Sequence, residues 1–221
     1  MKELDIPKSG KRGTVVSYRT HYGQISRQYV VPHDPQTAVQ IERRTAFGQA
    51  RFLWATLTHR QHLAWGLAAS GRRTRARLQQ SGRLSGYLLF IQINCNLAAI
   101  GLPMVLNPPA VPKFPDNPVG ELLITNTNGL VRFQLSVSGV PTRFTIVYGS
   151  PPRSAGTTFV DHYTILGLLP DPVDGLSDIT GLYLAKWPLA PVGSRIFIQT
   201  VQQIDGWQHL PTSTCAIVPP A

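Results

Sequence analysis

Acidic side chains are scarce in this chain. Its 221 residues hold 11 Asp and Glu against 21 Lys and Arg, and only 14% are charged, well below the ~25% of an average soluble domain. With 43% hydrophobic residues and a mean hydropathy of −0.03, few charges remain to cover the outer surface. Such a surface suits burial against neighbouring molecules, and equally a β-rich monomer dressed in Ser, Thr and Gln. Cysteine is nearly absent as well. Cys95 and Cys215 lie far apart without a CxxC or Cys/His spacing, which excludes a disulfide framework and a zinc module and predicts two small core residues. The first residues lack an apolar signal segment, and the apolar stretch 84–102 is broken by Gln92, Asn94 and Asn96. Neither a secretory signal peptide nor a membrane span is expected. The chain is therefore expected to be made in the cytoplasm, and any export needs another route.

What charge there is falls on one side. Residues 1–101 carry 15 Lys/Arg against 4 Asp/Glu, and residues 102–221 carry 6 against 7. The first half faces a polyanion, an acidic protein surface or a headgroup layer.

Residues 1–13 read as a basic arm containing Lys8, Lys11 and Arg12, ordered only when bound. β-prone runs at 14–18 and 24–31 flank a turn at Tyr22-Gly23, a hairpin that is marginal in water without a partner. Asp34 with Pro35 predicts a helix start. Val39, Ala46, Phe47, Ala50, Leu53, Trp54 and Leu57 form its apolar stripe. Thr58 caps a second helix striped by Leu63, Ala64, Leu67 and Ala68, with Trp65 beside the stripe. Ser85 caps a third helix, residues 86–100, apolar nearly all round and hence buried. Residues 14–101 thus form a hairpin and three-helix module. Residues 102–119, with six prolines, read as a semi-rigid linker and domain boundary. Beyond it, runs at 130–138, 143–148, 157–166, 179–185, 194–203 and 208–218 predict an antiparallel sandwich over 120–221. The fold class expected is α+β.

Catalytic and cofactor signatures are missing. His59 and His62 are three apart, yet no carboxylate or thiol nearby completes a metal set. Asp161 and His162 would point to opposite faces of a strand, and no G-x-S-x-G elbow supplies a nucleophile. Ser9-Gly10-Lys11-Arg12-Gly13-Thr14 lacks the first glycine and the hydroxyl position of a phosphate loop. Asp171, Asp174 and Asp178 could begin a calcium site, but Asp beside Gly or Pro is also ordinary turn chemistry. No catalytic residue, cofactor, metal or small-molecule substrate is expected.

The strongest signal is residues 72–83, where Arg72, Arg73, Arg75, Arg77 and Arg83 occur without an acid. Together with Lys8, Lys11, Arg12, Arg19 and Arg27 they form the candidate contact set for a neighbouring subunit or a polyanion such as nucleic acid.

The N-terminal half also carries a string of motifs: Arg19-Thr20-His21-Tyr22-Gly23-Gln24, then Pro35-Gln36-Thr37 with Gln40, then Trp54 to Trp65 with Leu57-Thr58 and Gln61 between, then Leu84-Ser85-Gly86 with Leu89-Phe90. Over about residues 14–103 this resembles a bacterial and prophage-like family with R-x-R-Y-G-Q, N-P-x-T-x-A-Q, W-x-x-L-T-x-x-Q-R-x-A-W and L-S-G-x-x-L-F motifs. The chain departs from it at Asp34, at Ala38-Val39 and at His62. The C-terminal half resembles a fibronectin type III-like or immunoglobulin-like sandwich in pattern, without the early tryptophan of such domains. The family carries no established activity, and its prophage-like setting implies a virion, particle or extracellular-assembly component. With the unpartnered hairpin, the charge asymmetry and the low charged fraction, the expectation is a non-enzymatic subunit that assembles with copies of itself or other structural subunits into a particle, tube or filament. Alternatives are a nucleic-acid-binding protein acting through residues 72–83, and an adhesin binding carbohydrate through the sandwich, with Trp187, Trp207, Tyr163 or Tyr183 as platforms.

Overall fold

Alternating side chains after Ser9 build a three-stranded antiparallel sheet in the order β1 (Gly10–Arg12), β2 (Val15–Thr20), β3 (Gly23–Gln28). The expected hairpin gains a third strand from the end of the basic arm, because the chain reverses at Gly13 (φ 62°) and pairs Lys11 with Val16. The computed structural model describes residues 8–20, 23–31, 33–74, 81–141 and 144–220. The start of the arm, Tyr22 of the expected turn, Arg75, Arg77 and Arg143 lie outside the described residues. The chain divides into two compact units, Met1–Ile41 and Glu42–Ala221, so the division does not fall at the proline-rich stretch.

α1 (Ala38–Thr56) starts later than Pro35 predicts. Asp34 Oδ1 accepts from Gln36 N (3.2 Å) and Gln36 is left-handed (φ 46°), which makes a turn there. Thr37 is the true cap. Its Oγ1 accepts from Gln40 N (3.4 Å) while Gln40 Oε1 accepts from Thr37 N (3.3 Å), the reciprocal arrangement that satisfies two orphan donors. Thr58 and Gln61 do the same for α2 (His59–Ala69). Ser85 Oγ accepts from Leu88 N to open α3 (Gly86–Ala98). The stripe of α1 holds in its second half, where Ala50 and Leu57 are buried. That of α2 does not. Leu63 and Leu67 are 56% and 77% exposed, and the buried residues are Trp65 and Ala69. The larger apolar body of the indole takes the core, with its Nε1 donating to Leu106 O at 2.8 Å.

Residues 102–118 are bound down as a strap rather than left as a free linker. Asn94 is fully buried on α3 and donates from Nδ2 to Val105 O (3.2 Å) while its Oδ1 accepts from Val105 N (2.7 Å). Trp207 Nε1 donates to Pro109 O (3.3 Å), and Gln202 Nε2 donates to Asp116 O (3.2 Å).

β4 (Val119–Thr127), β5 (Leu130–Val137), β6 (Thr145–Gly149), β7 (Thr164–Leu168), β8 (Leu176–Asp178), α4 (Thr180–Leu184), β9 (Arg195–Ile204), β10 (Trp207–Gln208) and β11 (Thr212–Ile217) follow. They form two antiparallel sheets, β4-β5-β8 and β10-β9-β6-β7, with β11 also paired to β9. One core takes Phe133 and Leu135 from the first sheet and Val147, Ile196 and Ile198 from the second. The fold is thus mixed α and β. The expected strand at 179–185 is the helix α4, since Ile179 and Tyr183 are spaced for one helical turn and Thr180 N is met by Asp178 Oδ1 (2.8 Å). The expected strand at 157–166 begins only at Thr164, which leaves Asp161 and His162 in a loop. β4 was not anticipated. Cys95 is half-buried, but Cys215 is exposed on β11, because its position lies on the outward side of that strand.

The second core, among α1, α2 and α3, contains a residue from the far end of the chain. Trp207 belongs to the same buried cluster as Trp65, Phe90 and Leu97. It arrives through Asp205 and Gly206, both left-handed (φ 49° and 81°), the tight Asp-Gly turn that a two-residue hairpin requires.

Candidate assembly surface

The cationic residues of the first sheet are brought together by register. Lys11, Val16 and Arg27 are cross-strand neighbours in one row, as are Tyr18 and Ile25 in the next row on that face. Lys11 Nζ sits 3.7 Å from the Tyr29 ring centroid, and the Arg27 guanidinium lies 5.6 Å from that of Tyr18. One face is therefore apolar and aromatic with cations laid over the rings. The other carries Arg12, Val15, Ser17, Arg19 and Gln24, with Ser17 and Ser26 sharing a hydroxyl hydrogen bond of 2.8 Å. Lys8 donates its backbone N–H to Gln24 Oε1 (2.9 Å). Among the described residues of this sheet only Ser17 is buried, and every residue of β3 is exposed. Tyr18, Ile25 and Tyr29 remain 37%, 41% and 43% exposed. A sheet with no apolar core of its own is marginal in water. Val16, Tyr18, Ile25 and Tyr29 escaped a reading that followed charge; the period-two alternation along β2 and β3 was the signal.

The arginine segment is not an open polycation where it is described. Arg72 is half-buried, its guanidinium 4.2 Å from the Trp207 ring centroid and its Nε donating to Ala68 O at 3.2 Å. Arg73 and Arg83 pair as an antiparallel bridge, and Arg73 Nη1 donates to Ser81 Oγ (3.2 Å). The segment's two ends are thus zipped together. Arg73 and Arg83 are exposed and available to a partner, whereas Arg72 closes the edge of a core.

The remaining candidates resolve into structure. His62 packs tilted against Trp54, ring centroids 4.3 Å apart, while His59 is exposed. Asp174 and Gly175 (φ 50° and 77°) form the tight turn between Val173 and Leu176, whose backbones bond in both directions. Among the described residues, no three His, Cys, Asp or Glu side chains gather as a metal set. Trp207 and Tyr183 are core residues, so they cannot serve as exposed platforms. Among the described residues, no helix is long and apolar enough to cross a membrane. Compared with known protein families, curated proteins and solved structures, the chain matches none.

Proposed function

We propose that the chain is a non-enzymatic structural subunit of a phage-like particle, tube or filament, in which the N-terminal sheet docks on a neighbouring copy or a fellow subunit. The observation that carries this reading is the sheet's uncovered aromatic face. Burying the remaining two-fifths of Tyr18, Ile25 and Tyr29 is worth ~2–4 kcal/mol, taking ~1.5–3 kcal/mol for each complete side chain. That gain is within reach of a partner's surface and out of reach of a solitary sheet. Exposed Phe47 and Phe52 of α1, with Leu63 and Leu67 of α2, add further apolar surface, as does a hollow of about 520 Å³ formed by Gly48, Gln49, Phe52, Leu53 and Met104. The strand order β4-β5-β8 opposite β7-β6-β9-β11 supports a fibronectin III-like or immunoglobulin-like sandwich for the C-terminal part.

Sedimentation velocity on the full chain and on Ile25→Asp tests the proposal. The native chain should assemble with rising concentration. Ile25→Asp, which puts a carboxylate in the docking face beside Lys11 and Arg27, should weaken assembly at least ~30-fold, the equivalent of ~2 kcal/mol. A native chain that stays monomeric at all concentrations, with its β2 and β3 amides protected from hydrogen exchange, overturns it.

A further inference from the structure

The outer face of the larger C-terminal sheet holds an open hollow of about 780 Å³. From its floor and walls we infer a binding groove for a neutral oligosaccharide. The floor is a row across three strands, Tyr148 opposite Gln199 opposite Ser213, with Gln199 Nε2 donating to Ser213 Oγ at 3.1 Å. One wall is the loop before β7, which contributes Phe159, Asp161 and Tyr163. This wall is preformed. Arg195 Nη1 donates to Thr157 O (2.8 Å), and Arg153 and Arg195 exchange backbone hydrogen bonds at the start of the loop. His209 also lines the hollow, its ring centroid 5.1 Å from that of Phe114.

Three properties select the ligand class. Pockets of ~300–1,000 Å³ suit small organic ligands, the size of about two or three sugar rings. Among the described lining residues, Asp161 is the one acid and there is no Lys or Arg, so phosphates, sulfates and acidic sugars find no counter-charge. Amide, hydroxyl and carboxylate groups set between aromatic rings match a sugar, which presents hydroxyls at its edge and C–H groups on its faces. An extended peptide fits the floor poorly. β9 is paired on both sides, by β6 and by β11, so its backbone offers no ladder to a further strand.

Saturation-transfer NMR on the full chain, with maltotriose, cellotriose and triacetylchitotriose as probes, tests the assignment. At least one trisaccharide should receive transfer at its ring C–H protons. The effect should fall at least tenfold in Phe159→Ala and in Gln199→Ala, and persist in Ile25→Asp, which separates this groove from the docking sheet. Phe159 is 74% exposed, so its truncation leaves folding intact. The assignment is overturned by no transfer to any of the three at millimolar concentration, by binding that survives both groove substitutions, or by a neutral Val/Thr hexapeptide that binds where the sugars do not.

Discussion

Replacing Asn94 with Ala tests whether residues 102–118 are a strap or a spacer. Asn94 is wholly buried and makes three side-chain hydrogen bonds, from Nδ2 to Phe90 O (3.1 Å) and Val105 O (3.2 Å) and to Oδ1 from Val105 N (2.7 Å). Each net hydrogen bond contributes ~1 kcal/mol, and stranding the amide of Val105 adds a desolvation cost of similar size. Val105 is half-buried, so water recovers part of that cost. The expected loss is ~3 kcal/mol, or ~6–12 °C in Tm for a domain of this size. Urea unfolding followed by tryptophan fluorescence reads it well, because Trp65 and Trp207 both donate to strap carbonyls. Limited proteolysis supplies the local readout, with new cuts expected between Leu102 and Pro115. A loss under ~1 kcal/mol with no new cleavage would refute the reasoning and restore the strap to a passive connector.

Two further outcomes follow from the same packing. Gly206→Ala places a methyl 2.7 Å from Ile93 Cγ2 and 2.8 Å from Ile93 O at a left-handed residue; strain and overpacking together should cost ~2–4 kcal/mol, and thermal unfolding with no shift in Tm would contradict the contact. Tyr183 is buried and its hydroxyl donates to Ser150 O at 3.2 Å, and burial pushes its phenol pKa up. Its stabilising contribution is therefore complete below the unfolded phenol pKa of ~10 and declines as pH rises beyond it. Urea midpoints measured from pH 8 to 11.5 should fall above pH ~10 in the native chain and less steeply in Tyr183→Phe, and identical slopes would remove Tyr183 as the cause.

Local signals were legible where a single residue decides the backbone. Thr58 and Ser85 marked two helix starts within a residue, and alternation at 130–138 marked β5. Errors arose where tertiary packing chose between patterns that the residues satisfy equally. Ile179 and Tyr183 fit a strand of alternating residues and one helical turn alike, and the ring of Tyr183 against Phe133 at 4.5 Å settles the helix. Leu63 and Leu67 form as good a stripe as Trp65 and Ala69, and the indole with its carbonyl partner prevails. Charge was the poorest guide. Arg72 counts as a cation in the sequence, yet its place over Trp207 depends on a residue 135 positions later. The groove on the outer face of the larger sheet had no linear signature, since Tyr148, Gln199 and Ser213 meet only through strand register.

Trp207 explains why the proline-rich stretch does not separate two independent halves. Its side chain completes the helical core, its Nε1 holds the strap at Pro109, and its ring carries Arg72. The neighbouring turn is gripped from the helix side, where Asn96 Nδ2 donates to Gly206 O (2.8 Å) and Gln203 Nε2 returns a bond to Asn96 O (2.9 Å). Helices cut off at residue 101 lose a buried indole worth ~2–3 kcal/mol, a large share of a small domain's stability. The helices and the two large sheets therefore fold as one body. The first sheet has an apolar face that its own strands leave uncovered, and under the proposed docking it is where association should raise stability most.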